Sequence, residues 1–179
     1  PSGQTWTRVG PEGITGGRVV PATTGDIVGT FPLSAPLSGM MSAVYNPGTN
    51  GVYLVILRTN GTDIVAPYNR VDVFVAPGAP GALRIRKVVD GVVTNLVSAT
   101  PNVPAGVAYR IIGSVTNTAM TAALVDLGGM ALSTLSYTLT TDEQAMFSDA
   151  AYSRVGFMHR YVPAGTPGWS DDLLVRSYA

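Results

Sequence analysis

Lys87-Val88-Val89-Asp90-Gly91-Val92-Val93-Thr94 decides how the rest of the chain is read. Asp-Gly between β-branched pairs favours a two-residue type I′ turn, because both central positions take positive φ at little cost. The flanking residues then run as two antiparallel strands. Just upstream, Leu83, Ile85, Lys87 and Val89 alternate with Arg84, Arg86 and Val88. Earlier still, Val71, Val73 and Val75 share a face opposite Asp72 and Phe74. A period of two buries one face and wets the other, as in an antiparallel sandwich.

Outward from this hairpin the same texture continues in both directions. Short apolar runs are read at Arg18–Val20, Asp26–Phe31, Met40–Tyr45, Val52–Arg58, Val107–Val115, Met120–Asp126, Ser136–Thr140, Arg154–Tyr161 and Asp172–Tyr178. Gly and Pro pairs punctuate them, among them Pro47-Gly48, Pro77-Gly78, Pro80-Gly81 and Gly128-Gly129. Asn60-Gly61 reads as a second hairpin turn, between Leu54–Arg58 and Asp63–Val65. Thr140-Thr141-Asp142-Glu143 fits a capping box, with Thr140 as N-cap and Glu143 reaching back, so one helical turn is expected over 141–147. A further weak turn lies near Ala150–Tyr152. No amphipathic helix is long enough for a crossover between parallel strands. The expected fold is therefore all-β, an antiparallel two-sheet sandwich with one short helix.

The chain has 179 residues, which suits one domain. Residues 1–17, polar and glycine-rich around Trp6, read as an N-terminal arm or first strand region, and 18–179 as a single β-sandwich domain. There is no cysteine, which removes disulfides, thiolate metal sites and cysteine nucleophiles. Eleven basic and eleven acidic residues cancel, so the basic face of a nucleic-acid binder is not expected. No apolar run approaches the ~20 residues of a membrane-spanning helix. Only 12% of residues are charged, and such a surface associates readily.

The residues for chemistry are few. His159 is the only histidine, so a multi-histidine metal site within one chain is excluded. Only a three-fold axis gathering three copies of His159 would supply one. A Ser/His/Asp triad would have to use His159, and Gly-x-Ser-x-Gly does not occur. Glu12 and Glu143 are the only glutamates, one in a turn and one in the capping box. No strand presents the paired carboxyls of a glycosidase. The chain is therefore read as non-enzymatic, with no resident cofactor. Asp171-Asp172, the adjacent acid pair outside the capping box, is the one place where calcium is weighed. Its plainer reading is a loop-to-strand corner. Sugar recognition asks for less, an aromatic face and polar side chains on a rigid sheet. Trp169, Asp171 and Asp172 offer this, as do Tyr68, Asn69 and Arg70, with Tyr45, Tyr161, Asn46 and Asn50 nearby in sequence.

Several stretches together resemble the concanavalin A-like (laminin G-like) jelly-roll family. They are Trp6-Thr7-Arg8-Val9-Gly10 with Ile14-Thr15-Gly16-Gly17-Arg18-Val19, then Leu83 to Gly91, then Val107 to Val115 with Ala119–Asp126 as its partner. Ser153-Arg154-Val155-Gly156-Phe157 and Trp169-Ser170-Asp171-Asp172-Leu173-Leu174-Val175 close the pattern. The resemblance implies a jelly roll across nearly the whole chain. The string is also similar to sandwich domains of minor tail or other virion proteins of tailed phages. Ten arginines against the single Lys87, and Pro1 as the residue left by methionine removal, fit an intact phage gene product.

That resemblance implies a virion structural protein, a tail or receptor-binding component or a capsid decoration subunit. Its partners would be other virion proteins, copies of itself (a trimer) and a host-surface glycan, with no nucleic acid and no membrane. Pro77–Gly81, Pro101–Gly106 and Pro163–Gly168 are the loops expected at subunit contacts, because proline-rich segments lose less entropy when fixed. The alternative is a lectin-like glycan-binding module of a secreted or surface protein.

Overall fold

A computed structural model describes residues 7–9, 12–15, 18–21, 25–61, 69–161 and 168–178. Among the described residues there are fourteen strands: β1 (Thr7–Val9), β2 (Glu12–Thr15), β3 (Arg18–Pro21), β4 (Gly25–Pro32), β5 (Gly39–Asn46), β6 (Val52–Thr59) and β7 (Arg70–Ala76). They continue as β8 (Ala82–Val89), β9 (Val92–Ala99), β10 (Tyr109–Val115), β11 (Ala119–Asp126), β12 (Ala131–Thr138), β13 (Arg154–Tyr161) and β14 (Trp169–Ser177). One helix, α1 (Thr141–Ser148), and a 3-10 turn at Ala150–Tyr152 join β12 to β13.

The strands form two seven-stranded sheets, ordered β1-β4-β13-β6-β7-β8-β9 and β12-β11-β10-β5-β14-β3-β2. Every neighbouring pair is antiparallel. The expected sandwich is what the chain forms. Residues 1–17 contribute β1 to one sheet and β2 to the other.

The Asp90-Gly91 hairpin joins β8 to β9. Val89 faces Val92, and φ is +50° at Asp90 and +80° at Gly91, as the type I′ turn requires. Inward side chains of the two sheets meet in one core. Val55, Leu57, Val73 and Ile85 of the first sheet pack with Met41, Tyr45, Ile111 and Leu124 of the second. Each aliphatic side chain fully buried there contributes about 1.5–3 kcal/mol.

The helix closes one end of the sandwich. Glu143 accepts from the Thr140 amide while its own amide donates to the Thr140 hydroxyl, which completes the capping box. The same carboxylate takes Lys87 Nζ at 2.6 Å and the Tyr137 hydroxyl at 2.9 Å. Burial alone would raise the Glu143 carboxyl. Lys87, the Thr140 amide and the Tyr137 hydroxyl outweigh it and hold the group below its ordinary value. The lone lysine thus ties a strand of the first sheet to the helix cap, and Tyr137 adds β12 of the second.

Some boundaries differ from the sequence reading. The next described strand, which pairs with β6 on the side away from β13, is β7, beginning at Arg70; the expected partner Asp63–Val65 lies outside the described residues. β12 starts at Ala131, not Ser136, because its alternation is carried by half-buried Leu132, Ser133, Leu135 and Tyr137 rather than by a run of large apolar residues. β14 starts at Trp169, not Asp172, so the Asp-Asp pair lies within a strand. Pro77–Gly81 and Pro101–Gly106 are held to one another, with Gly78 bridged to Val103 and the Gly81 amide on Pro101 O at 2.8 Å. In the third expected contact loop, 162–167 lie outside the described residues.

Candidate functional site

The start of β14 carries three of the residues singled out for sugar recognition. Strand alternation sends Ser170 inward, where it is buried and its side chain hydrogen-bonds to Tyr53. Trp169 and Asp171 therefore point outward, onto the outer face of the second sheet, and both are half-buried. Trp169 stands opposite Asn46 on β5, and Asp171 stands opposite Val44.

The next residue breaks the ladder. Between Asp171 and Leu174 the register with β5 shifts, and Asp172 adopts φ +51°. The Asp172 amide donates to Asp171 Oδ1 at 2.8 Å, a local bond that stabilises the bulge. This corrects the loop-to-strand corner: the acid pair is a bulge inside the strand. The bulge swings the Asp172 side chain out to 67% exposure, where its carboxylate lies 3.5 Å from Arg110 Nη2 on β10. A pair this exposed orients the side chains more than it stabilises the fold.

Trp169, Asp171, Asp172 and Arg110 thus converge at one end of an outer sheet face. Beyond them the face is low in charge. Ser42, Ile112, Ser114 and Thr121 follow, and the Ser114 and Thr121 hydroxyls are 2.6 Å apart. Asn46 supports the corner from behind. Its Nδ2 donates to Gly106 O at 2.9 Å and its Oδ1 accepts from Gly48 N at 2.8 Å, fixing the β5–β6 connection to the loop before β10.

The other candidates sit elsewhere. Asn69 accepts the Asp90 amide at 2.7 Å, and its own amide donates to Asn60 Oδ1 at 2.8 Å. It stitches the β6–β7 connection to the β8–β9 turn. Arg70 is buried on the first sheet and its Nε reaches Asp72 Oδ2 at 2.5 Å. It pairs with Thr59 at the far end of β6, whereas the Trp169 corner adjoins the Tyr53 end. Asn69 and Arg70 therefore cannot complete a site with Trp169. Tyr68 lies outside the described residues. Arg110 is the contributor that residue-type reasoning missed; its signal was the outward slot between inward Tyr109 and Ile111.

Among the described residues, no group of three or more His, Cys, Asp or Glu side chains could hold a metal ion. His159 is fully buried, so no symmetry axis can gather copies of it. Among the described residues, no helix is long and apolar enough to cross a membrane.

No family model and no curated protein matches the sequence. Solved structures do match. The carbohydrate-binding module CBM66 from Bacillus subtilis superposes with a TM-score of 0.67 at 10% identity, over 96% of this chain and 95% of that one. Lectin UEA-II complexed with galactose gives 0.63 at 8% identity, over 96% and 90%. The fold is a jelly roll like theirs. The CBM2 module of the evolved Dit of Lactobacillus casei BL23 phage J-1 shares the jelly roll as well, with a TM-score of 0.56 at 12% identity, over 95% and 88%.

Proposed function

We propose that this jelly roll is a non-enzymatic glycan-binding module whose sugar site is the Trp169 corner. The observation that carries the reading is a half-buried indole on an outer sheet face, beside Asp171, the bulged Asp172 and Arg110. An aromatic surface stacks on the apolar face of a sugar ring, and the flanking carboxylates and guanidinium hydrogen-bond its hydroxyls. The resemblance to carbohydrate-binding modules and lectins supports it. The likeness to a phage Dit module favours a setting on a tailed-phage virion, where such a module would serve host attachment. In that setting the chain would assemble with other virion proteins and with copies of itself.

An array of immobilised glycans that includes galactose tests the reading. The wild type is expected to bind saturably. Trp169→Ala is expected to lose about 2 kcal/mol of binding, roughly thirtyfold in affinity, as removal of a stacking anchor does. Its melting temperature is expected to stay close to that of the wild type. Unchanged binding in Trp169→Ala, or a collapse of stability instead, would remove Trp169 from the site.

A further inference from the structure

We propose that His159 is a proton-sensitive positioning residue for the Trp169 corner: protonation of its buried ring loosens the two chain segments that shape the corner. The consequence for sugar rests on the glycan-binding reading; the mechanism rests on how the ring is enclosed.

His159 projects inward from β13 and is fully buried, and neither ring nitrogen has a hydrogen-bond partner. The rings of Tyr45 on β5 and Tyr53 on β6 meet it edge-on, each with centroids 5.7 Å away. Phe157, on its own strand, stacks on Tyr53. Backbone lies against the ring as well. A Cβ added at either Gly51 or Gly168 would stand 3.0 Å from His159 Nε2, so both glycines lie directly against that nitrogen. Gly51 belongs to the β5–β6 connection, where its amide donates to Pro47 O at 2.8 Å and its carbonyl accepts the Tyr45 hydroxyl. Gly168 immediately precedes Trp169. The ring therefore touches both segments that frame the corner.

A neutral imidazole leaves one donor and one acceptor unpaired here but carries no charge. A protonated one carries two N–H donors and a charge, and neither nitrogen has an acceptor bonded to it among the described residues. The groups facing it are the Tyr45 hydroxyl, committed to Gly51, the Tyr53 hydroxyl and Ser170, which are bonded to each other, and the Phe157 ring. Among the described residues no carboxylate and no cation faces it. Burial raises both tyrosines, so neither becomes a phenolate counter-charge near neutral pH. Burial also holds His159 down to about 4, from an ordinary value of 6.5.

The direction of the effect follows. When the segments part and the ring meets water, it takes up a proton that the closed form excludes. Opening is therefore favoured as pH falls from about 6.5 towards 4. Between pH 7 and pH 5 the open population should grow roughly twentyfold.

Hydrogen exchange on the full chain at pH 7 and pH 5 tests this, with His159→Leu and His159→Met alongside the wild type. After correction for intrinsic exchange, wild-type peptides spanning 45–53 and 168–172 are expected to lose protection about twentyfold at pH 5. Peptides spanning 119–138 are expected to hold theirs. Either apolar variant should abolish the acid response, and the second serves if the first does not fold. Wild-type protection that is independent of pH, or an equal acid response in the variants, would overturn the proposal. Binding to immobilised galactose at both pH values is the second arm. A weaker apparent affinity at pH 5 in the wild type alone, in proportion to the closed fraction lost, is the expected result. Unchanged affinity at pH 5 in the wild type would overturn the link to binding. If galactose is bound at neither pH, the exchange data still decide the histidine mechanism, and the failure belongs to the glycan-binding reading.

Discussion

Arg58→Ala is expected to lower the unfolding free energy by roughly 3–5 kcal/mol, a large share of the stability of an ordinary domain. Arg58 lies near the end of β6, at a register shift with β7 that turns it towards the interior. It is fully buried, and its partners are not carboxylates. Nε donates to Leu37 O at 2.8 Å, Nη1 to Phe147 O at 3.0 Å and Nη2 to Asn117 Oδ1 at 3.3 Å. One guanidinium thus joins the β4–β5 connection, the last turn of α1 and the β10–β11 turn. Phe147 O is one of the helix carbonyls that lack an intrahelical partner, and a cation is favourable there. Burial lowers the Arg58 pKa to about 10, which still leaves it charged at neutral pH. Truncation strands acceptors at about 1–3 kcal/mol each and opens a cavity as well. Urea titration would show a lower midpoint at unchanged slope. A loss below about 1 kcal/mol would mean these acceptors find water instead.

Asp72→Ala is expected to cost a similar 3–5 kcal/mol, for a different reason. Asp72 is fully buried on the outer face of β7, between Arg70 and Arg86. Arg86 grips it with Nε at 2.8 Å and Nη2 at 3.1 Å, while Arg70 Nε lies at 2.5 Å. The Arg86 guanidinium also sits over the Phe74 ring at 4.3 Å. Removing the carboxylate leaves two largely buried guanidiniums close together with their shared counter-charge gone. Asp72→Asn keeps an acceptor of the same shape and should lose less. The same denaturation measurement checks both variants. Equal stability of Asp72→Ala and wild type would show that Arg70 and Arg86 do not depend on this carboxylate.

Features set by neighbouring residues were legible in the sequence. The Asp90-Gly91 turn and the Thr140/Glu143 capping box depend on chemistry within four residues, and both form as read. Features set by pairing across the fold were not. Asp171-Asp172 looks like a corner because two acids favour turns. Only pairing with β5 keeps the strand running and converts the corner into a bulge. Trp169 and Arg70 were grouped by residue type, but β7 and β14 join different sheets, and no local pattern assigns a strand to a sheet. Arg58 and His159 are polar residues in inward slots. Their burial is dictated by Leu37, Phe147, Tyr45 and Tyr53, which are distant in sequence.

An NMR titration of the 179-residue chain maps the sugar site most directly, starting with galactose and following with any glycan retained on the array. The expected result is saturable shifts of the Trp169 indole N–H and of the amides of Asn46, Arg110, Asp171 and Asp172, with Arg70, Arg84 and Arg86 unmoved. Shifts confined to the outer face of the first sheet, or no saturable shift with any glycan, would contradict a sugar site at the Trp169 corner.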